Sequence, residues 1–267
     1  MQTLYALAKR TSLFLPAWLR GPLQARHYAR MVGSFTPEDE PDLEVVRHLA
    51  GAGDTVLDLG ASIGMYTRVL SHRVGEAGRV VSVEPVPETF AVLSRTVRSL
   101  GLANATVLNV AVSDAEGWAT MEVPRLDWGG EDHYCAHLVD GGPASGNRRV
   151  RVRTATADSI ARGLGRVDFV KMDVEGHELS VLAGAAWLLD EVKPAWLIEV
   201  SGDPDDPAGG AARLFARMAE AGYGAWRYAG GRLAERRVGD SSVNYFFLTP
   251  AHVQRLVERA PGLIGQD

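Results

Sequence analysis

The first residues of this sequence that could do chemistry form a glycine turn at positions 58–64, Asp-Leu-Gly-Ala-Ser-Ile-Gly. The turn ends an apolar run and opens an amphipathic stretch. Glycine permits positive φ and lets a ligand approach the backbone. In an open α/β sheet, a turn after the first strand is where nucleotides bind. The pattern therefore predicts a cofactor site, and the residues expected to form it are Asp58, Gly60, Ala61, Ser62, Gly64, Tyr66 and Thr67.

Three functions compete for this turn. A dinucleotide site would show the spacing G-x-G-x-x-G, which is absent, and Asp58 would repel a pyrophosphate. A cofactor that lacks phosphate and carries cationic sulfonium and ammonium groups suits this carboxylate better, which favours S-adenosylmethionine over NAD. Residues 60–64 also match the G-x-S-x-G elbow of serine hydrolases, with Ser62 as nucleophile. However, only one strand precedes the turn, and no upstream glycine run could form an oxyanion loop.

A carboxylate at the end of the next apolar run extends the predicted cofactor site. Glu84 lies about twenty residues after the glycine turn and is followed by Pro85. A carboxylate in this position can accept hydrogen bonds from both ribose hydroxyls of a nucleoside. Asn109 to Val112, which include Ala111 and end the third predicted strand, are expected to border the adenine through backbone groups.

A second polar cluster lies at residues 171–178, Lys-Met-Asp-Val-Glu-Gly-His-Glu. Asp173 ends the fourth predicted strand and Glu199 ends the fifth, and neighbouring strands lie ~4.8 Å apart. The acceptor in a methyl transfer has to lose a proton, and His177 could remove it as a general base. Alternatively, Asp173 and Glu199, with or without His177, could bind Mg²⁺ and lower the pKa of the acceptor. Both hypotheses make these three residues catalytic, and Asp173 is also expected to contact the cofactor.

The elements that must position these residues alternate between short apolar runs and amphipathic stretches, which predicts a doubly wound α/β fold with a mostly parallel sheet. Seven strands are expected, the last two antiparallel: Thr55–Leu59, Arg79–Val83, Thr106–Val112, Asp168–Met172, Trp196–Val200, Ala225–Tyr228 and Asn244–Leu248. Helices are expected over Gly64–Val74, Glu88–Leu100, Glu178–Val192 and Ala208–Ala221.

The domain prediction has three parts. Residues 1–50 read as a helical extension that could cover the substrate pocket, and 51–250 as the catalytic domain. Within that domain, residues 118–154 form an insertion, with two antiparallel strands around a loop expected to act as a lid. Residues 251–267 are expected to be a C-terminal tail.

Composition excludes several classes. The 267 residues are 46% hydrophobic and 23% charged, which is typical of a globular protein. A net charge of −5 argues against nucleic acid as the main partner. A single cysteine fits a reducing compartment, so we expect a soluble, cytoplasmic protein. No run approaches the ~18 apolar residues that a membrane span requires, but residues 1–30 are basic and amphipathic and could contact a membrane surface.

With these residues in view, the sequence resembles the FkbM family of methyltransferases. The likeness covers about residues 50–250 and is most specific in the segment DVEGHE at 173–178. It also rests on the segments DTVLDLGASIGMYT (54–67), VVSVEPVPETF (80–90), NVAVSDAEG (109–117), KMDVEGHELSVLAG (171–184) and LIEV (197–200).

The resemblance implies a Rossmann-like class I methyltransferase that uses S-adenosylmethionine to O-methylate a small-molecule hydroxyl, often on a sugar or a polyketide-type natural product. Related small-molecule methyltransferases use a metal near the position of Asp173, which leaves Mg²⁺ open. The alternatives are N-methylation, a catalytically silent binding subunit, and the Ser62 hydrolase. Residues 1–50 and 124–150 lie outside the likeness and are the parts expected to choose the substrate.

Overall fold

An eight-stranded sheet forms the centre of the protein. The computed structural model describes residues 26–126, 130–131, 136–139 and 146–265. Its strands are β1 (Thr55–Leu59), β2 (Arg79–Val83), β3 (Ala105–Leu108), β10 (Phe169–Met172), β11 (Ala195–Glu199), β12 (Gly224–Ala229), β13 (Arg232–Glu235) and β14 (Asn244–Leu248). They lie in the order β13-β12-β14-β11-β10-β1-β2-β3, and the five strands at the β3 end of this order are parallel to one another.

Helices cover both faces of this sheet, which confirms the doubly wound α/β prediction. One face packs against helices whose apolar side chains meet Val56, Val80 and Phe169. The helices on that side are α2 (Leu43–Leu49), α3 (Met65–Val74) and α8 (Pro250–Arg259), with α4 (Pro87–Ser99) beside β3. The other face, which includes Leu57 and Met172, is covered by α5 (Ala157–Arg162), α6 (Glu178–Ala183), a π-helical turn (Leu188–Val192) and α7 (Gly210–Glu220). Because both faces are covered, the inner strands are mostly apolar, with Asp58, Ser82 and Lys171 as buried exceptions.

The insertion forms a second sheet with the order β4-β9-β5-β8. Its strands are β4 (Ala111–Ser113), β5 (Gly117–Val123), β8 (His137–Val139) and β9 (Arg148–Thr156). The predicted antiparallel pair within it is confirmed as β5 with β9, and a short ribbon pairs β6 (Arg125–Leu126) with β7 (Gly130–Glu131). The predicted third strand is wrong in its length: β3 ends at Leu108, and the chain then leaves the central sheet and enters the second one as β4.

Three further differences concern a predicted helix, the tail and the sheet edge. The helix expected over Glu178–Val192 is interrupted: α6 ends at Ala183, residues 184–185 form a turn, and helical residues resume at 186 and continue into the π-helical turn. At this break Gly184 lies against β4, where an added Cβ would come 2.2 Å from the Ser113 carbonyl oxygen. The tail expected over 251–267 instead contains α8, which is capped by Thr249 and buries Leu256. A strand that was not predicted, β13, pairs with β12 at the sheet edge.

Part of the predicted N-terminal extension is helical. Residues 26–33 form α1, and α2 follows it, whereas residues 1–25 lie outside the described part of the chain. Much of the predicted lid loop, at 127–129, 132–135 and 140–145, is likewise outside it. Among the helices that the structure describes, none is long and apolar enough to cross a membrane.

Candidate active site

The glycine turn lies where the loops after β1 and β10 meet. Gly60 has φ of 79°, and a Cβ added to it would come 1.7 Å from the Asp173 carbonyl oxygen. Gly64, with φ of 99°, precedes α3, and Ser62 between them also has positive φ, 49°. Glycine at position 60 is therefore required twice, by the backbone conformation and by the close approach of the second loop.

Asp58 supports this turn from within the core. Its side chain is fully buried, and its Oδ2 accepts a hydrogen bond of 2.7 Å from the Thr67 hydroxyl, which lies 2.8 Å from the Ser82 hydroxyl. Burial raises the pKa of Asp58, and the charge of Lys171 opposes this rise. The sequence predicts that Asp58 contacts the cofactor directly. Such a contact would need accessible surface, and this carboxylate exposes none.

Glu84 ties the glycine turn to the end of β2. Its Oε2 accepts from the Ser62 backbone N–H at 3.0 Å and its Oε1 from the Val86 N–H at 2.9 Å. Burial raises its pKa to about 7, and the two backbone donors partly offset that rise. Asn109 supports the same turn, since its amide donates to the carbonyl oxygens of Glu84 and Pro85 at 2.8 and 2.9 Å. Asn109 thus acts through its side chain, whereas a backbone contact was predicted.

A cleft opens beside Glu84, between the glycine turn and the second sheet. It includes six of the predicted cofactor residues and, in addition, His177: Gly60, Ser62, Glu84, Pro85, Ala111, Asp173 and His177. Ala61, Gly64, Tyr66, Thr67 and Asn109 are not part of its lining. The cleft also has an apolar wall, which consists of Val83, Val86, Val110, Val112, Met121, Ala136, Leu138 and Val174. Val110 and Val112 lie in the range expected to border the adenine, but the sequence analysis missed the other six residues. They come from segments far apart in the chain, and the alternation along β5 was a signal for Met121 alone.

The loop after β10 holds Asp173 at the inner end of this cleft. Asp173 Oδ2 accepts from the buried Lys171 ammonium at 2.8 Å, and that ammonium lies 5.0 Å from the centre of the Tyr66 ring. Glu175 and Gly176 then both take positive φ, 50° and 84°. These two residues therefore form a tight turn between Asp173 and His177.

Of His177 and Glu199, only His177 lines the cleft. Its Nε2 is 2.9 Å from the Ser113 hydroxyl of β4. Glu199 follows the last residue pair of β10 and β11, Met172 with Ile198, and is therefore level with Asp173 on the neighbouring strand. Burial, followed by the charge of Asp173, raises the pKa of Glu199 to about 7.

The structure does not support the predicted magnesium site. Among the described ranges, no three His, Cys, Asp or Glu side chains are grouped so that they could hold a metal ion, so Asp173, Glu199 and His177 do not form such a set. The Lys171 ammonium already neutralises Asp173, and His177 is directed to Ser113. No catalytic step through Mg²⁺ follows from this arrangement.

Comparison with known proteins identifies the family of this chain. Residues 58–224 match the model of the methyltransferase FkbM domain, and this match covers the glycine turn, Glu84 and the loop after β10. The chain belongs to the FkbM methyltransferase family. The family that the sequence resembles is thereby confirmed.

Similarity to individual proteins is more limited. The chain is 38% identical over 56 residues to a protein-L-isoaspartate O-methyltransferase of Methanococcus maripaludis and to one of Archaeoglobus fulgidus. That region is 21% of this chain and 26% of either relative, so the chain spans about a quarter of their length. Among solved structures, it is similar to methyltransferase FkbM from Methylobacillus flagellatus KT (20% identity, TM-score 0.48, covering 74% of this chain and 44% of that one). It is also similar to a SAM-dependent methyltransferase from Aquifex aeolicus (19% identity, TM-score 0.44, covering 82% and 96%).

The cleft fits S-adenosylmethionine chemically. A nucleoside needs an apolar slot for its base and an acceptor for its ribose hydroxyls, and the cleft combines an apolar wall with the Glu84 carboxylate. The Ser62 hydroxyl, which is buried in the turn, has no hydrogen-bond partner among the described residues. A bound ligand would satisfy this group.

Proposed function

We propose that the protein methylates a hydroxyl group of a small molecule, such as a sugar or a natural product, with S-adenosylmethionine as the donor. The observation that carries the proposal is the position of Asp173, which lines the cleft and is level with Glu199 at the end of the neighbouring strand β11. A donor in the cleft and an acceptor above β11 would meet beside this residue.

The proposed donor contacts follow from the cleft. Glu84 would accept from the ribose hydroxyls, and Val86, Met121 and Leu138 would enclose the adenine. The donor supplies an electrophilic methyl group on a sulfonium sulfur. The order of the parallel strands favours this placement, because chain order reverses between β1 and β10 and ligands of open sheets bind at such a switch point.

The acceptor hydroxyl must lose its proton as it is methylated, and two side chains could remove it. His177 lies on the cleft side of Asp173 with Ser113 as its partner, and Glu199 lies on the β11 side. Positioning by such groups and exclusion of water supply much of the rate of a one-step displacement. The side on which the base lies therefore identifies the side on which the acceptor binds.

The proposed function is tested first by isothermal titration with S-adenosylhomocysteine. We expect micromolar, saturable binding that is unchanged by Mg²⁺, and its absence would overturn the placement of the donor. The protein is then incubated with methyl-¹³C-labelled donor and a panel of hydroxylated sugars and aglycones. The carbon shift of the product methyl group distinguishes O-methyl from N-methyl, and exclusive N-methylation would overturn the hydroxyl assignment.

The same assay, repeated on His177→Asn and Glu199→Gln, identifies the base. The variant that lacks the base should lose most of its turnover, whereas S-adenosylhomocysteine should still bind. If both variants turn over within a factor of about two of wild type, neither residue contributes the 10²–10⁴-fold that a general base supplies.

A further inference from the structure

A second cavity lies at the opposite edge of the central sheet from the cleft. The cleft is formed where parallel strands end, whereas this cavity is formed where β1, β10 and β11 begin and where α8 follows β14. Its volume is about 680 Å³, and ligand pockets commonly measure ~300–1,000 Å³. We call it the basal cavity. Its lining comes mainly from Asp54 before β1, residues 166–168 before β10, residues 192–194 before β11, and α8 with its cap.

Positive charge exceeds negative charge in the basal cavity. The charged side chains that line it are two carboxylates, Asp54 and Asp168, and four cations, Arg166, Lys193, Arg255 and Arg259. Four cations against two carboxylates leave an excess of two positive charges, although the whole chain has a net charge of −5. Both carboxylates are already engaged, since each forms an ion pair with Arg166 and accepts a hydrogen bond from a backbone N–H.

The other three cations have donors available for a ligand. Arg255 and Arg259 are exposed, and neither forms a hydrogen bond or ion pair with a residue that the structure describes. The Lys193 ammonium donates to the Ala221 carbonyl oxygen at 2.9 Å, which uses one of its three N–H groups. The excess positive charge is therefore carried by groups that can still donate to an anion.

A buried histidine is an independent indication of a ligand. The His252 side chain lines the basal cavity and is only 5% exposed. Its Nδ1 accepts from the Thr249 backbone N–H at 3.1 Å, and burial, followed by the charge of Arg255, lowers its pKa to about 4. The neutral ring therefore carries its proton on Nε2, and this N–H donates to none of the described residues. Since Nε2 is not fully enclosed by protein, an acceptor in the cavity would satisfy it.

The basal cavity also offers apolar surface to the body of an organic molecule. Leu49, Val167, Val192 and Leu256 line it together with the cations. Ligand pockets typically combine such apolar walls with a few polar groups that fix orientation. The arrangement therefore suits an organic anion better than an inorganic one.

We propose that the basal cavity binds a phosphate monoester of a small organic molecule, such as a sugar phosphate. A phosphate monoester carries about −1.5 to −2 charge at pH 7, which matches the excess of two positive charges, whereas a sugar acid carries a single charge. The planar guanidinium groups of Arg255 and Arg259 suit bidentate contacts to phosphate oxygens. This site does not depend on the proposed methyl transfer, because the basal cavity and the cleft share no lining residue.

The test is isothermal titration of the full-length protein at pH 7 with four probes: glucose 6-phosphate, glucuronate, glucose and inorganic phosphate. We expect glucose 6-phosphate to bind about tenfold more tightly than glucuronate, because one additional charge contact at partly screened distance corresponds to about this factor. It should also bind more tightly than inorganic phosphate, which lacks the organic body, and glucose should show no saturable binding. Saturation with S-adenosylhomocysteine should leave these affinities unchanged.

Three variants assign the binding to the basal cavity. Arg255→Gln and Arg259→Gln should each weaken the binding of glucose 6-phosphate about tenfold, since each removes one charge contact. Arg213→Gln is the matched control, because Arg213 is an exposed arginine of α7 that also has no partner among the described residues but does not line the cavity. Its affinity should equal that of wild type. Thermal melting without ligand verifies that all three variants fold.

Each contrary result overturns a defined part of the proposal. If glucose 6-phosphate does not bind, or binds no more tightly than glucuronate, the ligand is not a phosphate monoester. Equal affinity for inorganic phosphate would overturn the role of the apolar wall. An equal loss in Arg213→Gln and Arg255→Gln, or competition by S-adenosylhomocysteine, would overturn the assignment to the basal cavity. Failure of S-adenosylhomocysteine to bind would overturn the proposed function and leave this site intact.

Discussion

The contact between Gly60 and Asp173 gives a prediction in which two physical costs can be separated. In Gly60→Ala the new Cβ would lie 1.7 Å from the Asp173 carbonyl oxygen, whereas real Cβ contacts essentially never fall below 3.0 Å. The two loops must therefore move apart by more than an ångström. In addition, residue 60 has φ of 79°, where a non-glycine residue costs about 1–2 kcal/mol.

Crowding in a packed site typically costs a further 1–3 kcal/mol, so we expect Gly60→Ala to lower the free energy of unfolding by about 2–5 kcal/mol. Gly53→Ala is the matched control. Gly53 has nearly the same φ, 81°, but an added Cβ would meet no atom within 4 Å. This variant should therefore lose only the backbone cost of about 1–2 kcal/mol.

Denaturant unfolding measures the stabilities, and titration with S-adenosylhomocysteine measures the effect on the site. Because movement of the turn also disturbs the bond between the Ser62 N–H and Glu84, Gly60→Ala should bind the ligand about 10–100-fold more weakly. Gly53→Ala should bind it as wild type does. If the two variants are equal in both stability and affinity, the loop contact has no energetic role and the reasoning is wrong.

Three further predictions follow from contacts around the site. Affinity for S-adenosylhomocysteine should fall by up to about 100-fold as the pH drops from 8 to 5, because the pKa of Glu84 is about 7 and only its ionised carboxylate can accept hydrogen bonds through both oxygens. In Glu84→Gln the affinity should depend little on pH. Thr67→Val removes the hydroxyl that donates to the buried Asp58, and denaturant unfolding should show a loss of about 1–3 kcal/mol, a loss below 0.5 kcal/mol contradicting this role. Gly184→Ala places a Cβ 2.2 Å from the Ser113 carbonyl oxygen, and because residue 184 has an ordinary negative φ, crowding alone should lower the free energy of unfolding by about 1–3 kcal/mol. In the control Gly163→Ala the nearest contact of the new Cβ is 4.0 Å away, so the melting temperature should change little.

The central fold could be predicted because its signals are local. Each inner strand is an apolar run bounded by turn residues, and each covering helix has its own amphipathic pattern. The third strand was misjudged because Val110 and Val112 continue the apolar pattern of Val107 and Leu108 across Asn109, and only pairing partners far along the chain divide this segment between two sheets. The break after α6 was likewise not predicted, and it lies where Gly184 meets Ser113, a residue far away in the sequence.

The site shows the same division. Gly60, Glu84 and Asp173 could be found because each stands at the end of a strand, within a short motif whose geometry the motif itself determines. Most of the apolar wall of the cleft could not be found in this way, because residues such as Val86, Met121 and Leu138 come from separate segments and none of them lies in a motif.

The entry and exit of the insertion lie side by side, and this has an evolutionary consequence. β4 and β9 pair in parallel, with Ala111 next to Thr154, so the chain leaves the catalytic core and returns to it at one place. Everything between these strands can be shortened, lengthened or exchanged without any change in the spacing of the two attachment points. The part of the cleft wall formed by Met121, Ala136 and Leu138 therefore belongs to a segment that can be exchanged as a unit. A transplant of residues 114–153 between relatives is a direct route to methyltransferases with altered pockets on an unaltered catalytic core.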